Sequence, residues 1–103
     1  MQTFAKKRLE IVIEHPARKG LAALLDAQHV TGYSVVPVSA GSGQHGPWDE
    51  AGQVTSAEGM VMVICIVDPA QCEGVLEAVY PYIAPRKAIM SISDVQVVRG
   101  ERF

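Results

Sequence analysis

Two stretches with helical apolar spacing, each flanked by strand-like runs, predict an α+β fold of the split βαβ (ferredoxin-like, βαββαβ) type in this 103-residue chain. The order reads strand–helix–strand, a loop over residues 39–59, then strand–helix–strand. Right-handed crossovers then give four antiparallel strands with two helices on one face. One domain spanning 1–103 is expected at this length.

Each element has its own justification. Arg8 to Glu14 alternates, with Leu9, Ile11 and Ile13 on one side and Arg8, Glu10 and Glu14 on the other, as a half-buried strand requires. His15-Pro16 breaks it. Ala17 to Gln28 then sets Leu21, Leu24, Leu25 and Gln28 at helical spacing. Thr31-Gly32 makes a turn into a β-rich run, Tyr33 to Val38, and Met60 to Val67 is a fully apolar strand. Asp68-Pro69 starts the second helix, with a carboxylate N-cap, proline at the first helical position and Gln71 placed for a capping box. Cys72, Val75, Leu76 and Val79 form its inward stripe, and Pro81 and Pro85 are expected to end it. Ala88 to Val98 is the last strand. Its alternation changes phase between Met90/Ile92 and Val95/Val97, which predicts a bulge or a new pairing partner near Ser93-Asp94. The sheet face away from the helices carries Val12, Val36 and either Val61 or Met62, so a second sheet from another subunit is expected to cover it.

Composition excludes several function classes. The chain is 49% hydrophobic and 19% charged, with a formal charge of −2, which argues for a globular protein and against a general nucleic-acid binder. No apolar run is long enough to span a bilayer, and two cysteines, Cys65 and Cys72, fit a reduced, cytoplasmic setting. The nine basic residues fall in four groups: 6–8, 18–19, 86–87, and 99 with 102. None lies between Gly20 and Pro85, so each group sits at the end of an element, where cations could converge on an anion.

The 39–59 loop concentrates the candidate functional residues, since a structureless loop longer than ~12–15 residues in a compact domain is either functional or disordered. It holds Gly41, Gly43, Gly46, Gly52 and Gly59 and the sole tryptophan, Trp48. Gly41 to Gly46 matches G-x-G-x-x-G, but no helical pattern opens at Pro47-Trp48-Asp49-Glu50, so a dinucleotide fingerprint is excluded. The glycines could still curl backbone N–H groups around an anion. Trp48 serves either as an anchor folded back on the domain or as a group that docks into a partner pocket. The histidines and cysteines lack metal-ligand spacing and no catalytic constellation stands out, so a non-enzymatic protein is expected.

Thr31-Gly32-Tyr33-Ser34-Val35, followed by Val38 and the glycines through Gln44 and Gly46, resembles the PII signalling family, in which a Gly-x-Thr-Val strand leads into a glycine-rich stretch and the long T-loop. Asp94 to Glu101 is similar to the basic strand that closes those proteins. The resemblance implies a homotrimer with sheets packed inward and adenine nucleotides in the intersubunit clefts. It implies Ile13 and Cys65 beside the adenine, Ser34 toward the base, and Ser39, Ala40 and Gly41 at ribose and phosphates. Arg86 or Lys87 would stand for a lysine of the B-loop, with Arg99 and Arg102 reaching phosphates across the interface. Gln44, with His45 and Gly46, would organise a second small ligand, and Trp48, Asp49 and Glu50 would meet a protein target.

The glycine-rich B-loop is replaced by Tyr80-Pro81-Tyr82-Ile83-Ala84-Pro85, a turn similar to that of CutA-type trimers, and the loop has no tyrosine in the modification position. The chain therefore looks most like PII-like proteins tied to bicarbonate transporters and carboxysomes. That likeness implies ADP or AMP, with ATP possible, and bicarbonate as ligands, and a transporter or carboxysome-related target. A CutA-like trimeric metal-binding or structural protein is the alternative.

Overall fold

The computed structural model describes residues 1–43, 46–49 and 59–102, and for Gly46, Trp48, Asp49 and Arg102 it describes the backbone. In chain order the elements are β1 (Phe4–Glu14), a 3-10 turn (His15–Ala17), α1 (Arg18–Ala27), β2 (Tyr33–Val38), β3 (Ala40–Gly43), β4 (Gly46–Asp49), β5 (Met60–Val67), α2 (Pro69–Ile83), β6 (Ala88–Val97) and a 3-10 turn (Gly100–Arg102). Four strands form one sheet in the order β2-β5-β1-β6, every neighbour antiparallel. This is the ferredoxin-like arrangement that the element order predicts.

The register sorts side chains into two faces, because residues paired across neighbouring strands share a face. Val35, Val63, Ile11 and Met90 form one row under the helices, and Tyr33, Cys65, Leu9 and Ile92 form another. Against these rows pack Leu21 and Leu25 of α1 and Cys72, Val75, Val79 and Ile83 of α2, closing the core. The opposite face carries the row Val36, Met62, Val12 and Ile89. Val61 pairs with Ile13 in the core, so Met62, not Val61, belongs to the uncovered face. Across its middle lie Arg8 and Glu10, joined by a 2.9 Å ion pair, with the Arg8 Nε buried and without a hydrogen-bond partner among the described residues.

Several expectations are corrected. No bulge interrupts β6: its pairing with β1 runs unbroken from Ile13–Ala88 to Phe4–Val97. The phase change arises because the buried side switches. Met90 faces the helices, whereas Val97 packs on the other face, where Phe4 lies against Gly100. Beyond the helix layer the helix-side position becomes polar, and Lys7 meets Asp94 at 2.5 Å. That pairing also starts β1 at Phe4 rather than Arg8. Pro81 does not end α2, which continues to Ile83. A proline in the last turn removes one hydrogen bond, and burial of Val79 and Ile83 on either side of it offsets that loss. Asp68 makes no side-chain cap to its own helix; Gln71 instead reaches α1.

Candidate functional site

β1 and β2 end, and β5 and β6 begin, at the same end of the sheet, where four chain segments converge. The His15 N–H donates to the Gly59 carbonyl at 2.8 Å, which ties the end of β1 to the end of the loop. One turn on, Arg18 Nη1 donates to the His15 carbonyl at 3.0 Å and lies 3.2 Å from His15 Nδ1. The Lys87 N–H donates to the Glu14 carboxylate at 3.2 Å, fixing the start of β6 against the end of β1.

Tyr82 joins the two helices at this corner. Its hydroxyl donates to the Ala17 carbonyl at 2.9 Å, and Arg86 lies over its ring with the guanidinium carbon 3.8 Å from the centroid. Arg86 Nη1 also donates to the Tyr82 carbonyl, near the C-terminus of α2, where a cation is favoured. The basic groups 18–19 and 86–87, separate in sequence, are therefore neighbours of one tyrosine. Sequence reading missed Tyr82 and Gly20. The signal was an isolated glycine inside an amphipathic helix, which calls for a packing reason.

The loop opens on a hairpin rather than a patternless coil. β3 and β4 pair from Ala40–Asp49 to Gly43–Gly46 as a two-stranded sheet of their own. No helix opens at Gly46, so the dinucleotide reading stays excluded. Gly41 faces Trp48 across the ladder, and Ser39 and Ala40 are exposed at its base beside the end of β2. Gln44, His45 and Glu50 lie outside the described residues.

The remaining predicted residues are distributed differently. Ser34 is exposed on the uncovered sheet face, in a row with Ile64 and Glu10. Ile13 and Cys65 are 0% and 1% exposed, within the core beneath the helices. Burial pushes the Cys65 thiol up to about 11. Arg99 lies past the far end of β6 from Arg86 and Lys87, so the strand alone, nine steps from Ala88 to Val97, separates them by ~30 Å. Within one chain these cations cannot share a small anion. Arg99 lies 3.8 Å from the Glu101 carboxylate, and the adjoining turn rests on Phe4, where a Cβ on Gly100 would come within 2.5 Å of the ring.

A groove of about 490 Å³ between α2 and β6, lined by Leu76, Glu77, Tyr80, Pro81, Met90 and Ile92, contains none of the predicted binding residues. Among the described residues no three histidine, cysteine, aspartate or glutamate side chains come together to hold a metal ion, and no helix is long and apolar enough to cross a membrane.

Fold and corner define a class: a split βαβ protein with a hairpin inserted between β2 and β5, beside a basic corner. The chain belongs to the nitrogen regulatory protein P-II family, whose profile matches residues 6–102. It is similar to CPII, a nitrogen regulatory PII-like protein from Thiomonas intermedia K12, in a form bound to ADP, AMP and bicarbonate. Identity there is 26% and the TM-score 0.91, covering 99% of this chain and 96% of that one. CPII bound to ADP and bicarbonate matches at 27% identity and a TM-score of 0.86, covering 99% and 97%. CutA1 from Oryza sativa shares the fold, with a TM-score of 0.59 at 15% identity over 93% of this chain and 83% of that one. No curated protein matches the sequence. The family resemblance read from Thr31 to Gly46 and from Asp94 to Glu101 is thus confirmed, and CutA is the weaker likeness.

Proposed function

We propose that this chain is a non-enzymatic, cytoplasmic regulatory protein that binds ADP or AMP together with bicarbonate in the clefts of a homotrimer. The observation that carries the reading is the match over 99% of this chain to a PII-like protein bound to ADP, AMP and bicarbonate. Two features of the chain support it. The sheet leaves an apolar face with Val36, Met62, Val12 and Ile89 in one row, which inward-packed sheets of three copies would cover. Arg86 and Lys87 stand at one end of β6 and Arg99 lies past the other, so these two groups could close on one nucleotide only from neighbouring copies.

In this reading Ser39, Ala40 and Gly41 take ribose and phosphates at the base of the hairpin, with Arg86 and Lys87 from the same copy. Arg99 and Arg102 come from the next. Gln44, His45 and Gly46 serve the second anion. The 39–59 segment then presents Trp48, Asp49 and Glu50 to a protein target in inorganic carbon uptake or carboxysome function.

Isothermal titration calorimetry with ADP, AMP and ATP, with and without bicarbonate, tests the proposal. Micromolar affinity for ADP or AMP, strengthened by bicarbonate, is expected. Affinity weaker than millimolar under every condition overturns it.

A further inference from the structure

An exposed arginine is ordinarily free among many rotamers, yet Arg86 is held in three ways. Its backbone N–H donates to the Ile83 carbonyl at 2.9 Å, its Nη1 donates to the Tyr82 carbonyl, and its guanidinium carbon stands over the Tyr82 ring, 3.8 Å from the centroid. Tyr82 is itself anchored from below. Its hydroxyl is bonded to Ala17 at 2.9 Å, and the ring tip occupies the space above Gly20, where a Cβ would stand 2.2 Å from the hydroxyl oxygen. No side chain larger than hydrogen fits at Gly20 without moving Tyr82. The chain of contact therefore runs Gly20 and Ala17 of the α1 end, Tyr82, then Arg86.

From this geometry we infer that Tyr82 is a positioning residue that presets the Arg86 guanidinium for an anionic ligand, an inference that rests on the proposed nucleotide binding. A guanidinium has five N–H donors in one plane. One is used on the Tyr82 carbonyl, and the others can donate to a phosphate or carboxylate oxygen. Holding that plane before the ligand arrives removes part of the side-chain entropy that binding would otherwise cost. Glu14 fixes the next residue through the Lys87 N–H, so the backbone beneath Arg86 is constrained as well.

The competing explanation is that Arg86 merely caps the C-terminus of α2. A cap needs only a cation near the last carbonyls, whereas a preset fork needs the ring and the planar group together. Calorimetric titration of ADP into the full-length protein and into Tyr82→Leu, Arg86→Gln, Arg86→Lys and the Tyr82→Leu/Arg86→Gln double variant separates the two. Arg86→Gln should weaken ADP about tenfold, the loss of one charge-assisted contact. Arg86→Lys, which keeps the charge and disturbs no core residue, should lose nearly as much. Tyr82→Leu should weaken ADP severalfold in the native background and add nothing once Arg86 is glutamine. Native affinity in Arg86→Lys, or additive losses in the double variant, overturns the inference while leaving the proposed function intact. An unsubstituted protein that binds no adenine nucleotide overturns both.

Discussion

Gln71 Nε2 donates to the Gln28 carbonyl at 3.0 Å and to the His29 carbonyl at 3.3 Å, so the first turn of α2 caps the end of α1. The last carbonyls of a helix have no partner within it. Here they find one on the neighbouring helix, which also fixes the two helices lengthwise against each other. Gln71→Ala should lower unfolding stability by about 1 kcal/mol. Gln71→Glu should cost more, because it aims a carboxylate at carbonyls that already carry the negative end of the α1 dipole. Urea unfolding at one fixed protein concentration reads both, as a fall in midpoint without a change in slope.

His29 follows that cap with φ of 59°, the left-handed region, and its N–H donates to Asp26 at 3.0 Å while Val30 donates to Leu25 at 3.4 Å. The two bonds close α1 in a Schellman motif, in which glycine is the favoured residue at the left-handed position. His29→Gly should raise stability by up to about 1 kcal/mol, and His29→Val should lower it by at least as much. Thermal unfolding of the two variants checks the opposite signs.

How far the sequence reveals the molecule depends on where the information lies. Tyr33–Val38 and Met60–Val67 were legible to the residue, because each is a β-rich run bounded by glycine or aspartate. The start of β1 at Phe4 was not, since Phe4 to Lys7 has no alternation and is strand only through its pairing with β6. The β3–β4 hairpin was hidden for a different reason: glycine at 41, 43 and 46 leaves no side-chain period to read. At the candidate site the basic groups and the hairpin base could be named from sequence and family resemblance. The alternation puts Ile13 on the apolar side of β1 and Cys65 in a wholly apolar strand, but their near-complete burial follows only once the helices cover that side of the sheet. Tyr82 and Gly20 escaped because their relation spans two helices.

Cys65 is 1% exposed, and burial raises its thiol from 9.0 to about 11. Between those values the folded chain keeps a proton that the unfolded chain loses, so stability is intact below pH 9 and falls as pH rises toward 11. The loss attributable to this group is on the order of 2 kcal/mol. Cys65→Ala should flatten that part of the pH–stability curve, though from a lower starting stability because of the cavity it leaves. In the unsubstituted protein at pH 8, iodoacetamide should modify Cys65 only as fast as the chain opens.

Val35 and Val36 offer a paired test of the uncovered face. They are adjacent in β2 and almost equally exposed, 41% and 38%, yet they point to opposite sides of the sheet. Val35 shares its row with Val63 on the helix side, and Val36 shares its row with Met62 on the other. Exposure in the single chain therefore cannot distinguish them; only the identity of the covered face can. In the proposed trimer Val36→Glu places a carboxylate against apolar groups of another copy, at a cost of several kcal/mol for an unpaired buried charge. Val35→Glu leaves its carboxylate at the rim of the helix layer, within reach of water. Light scattering after size exclusion should find Val36→Glu dissociated and Val35→Glu still assembled. ADP binding should follow assembly, lost in the first and kept in the second, because each proposed cleft draws cations from two copies. A Val36→Glu protein that assembles and binds ADP normally would place the subunit contact, and with it the nucleotide, on another surface.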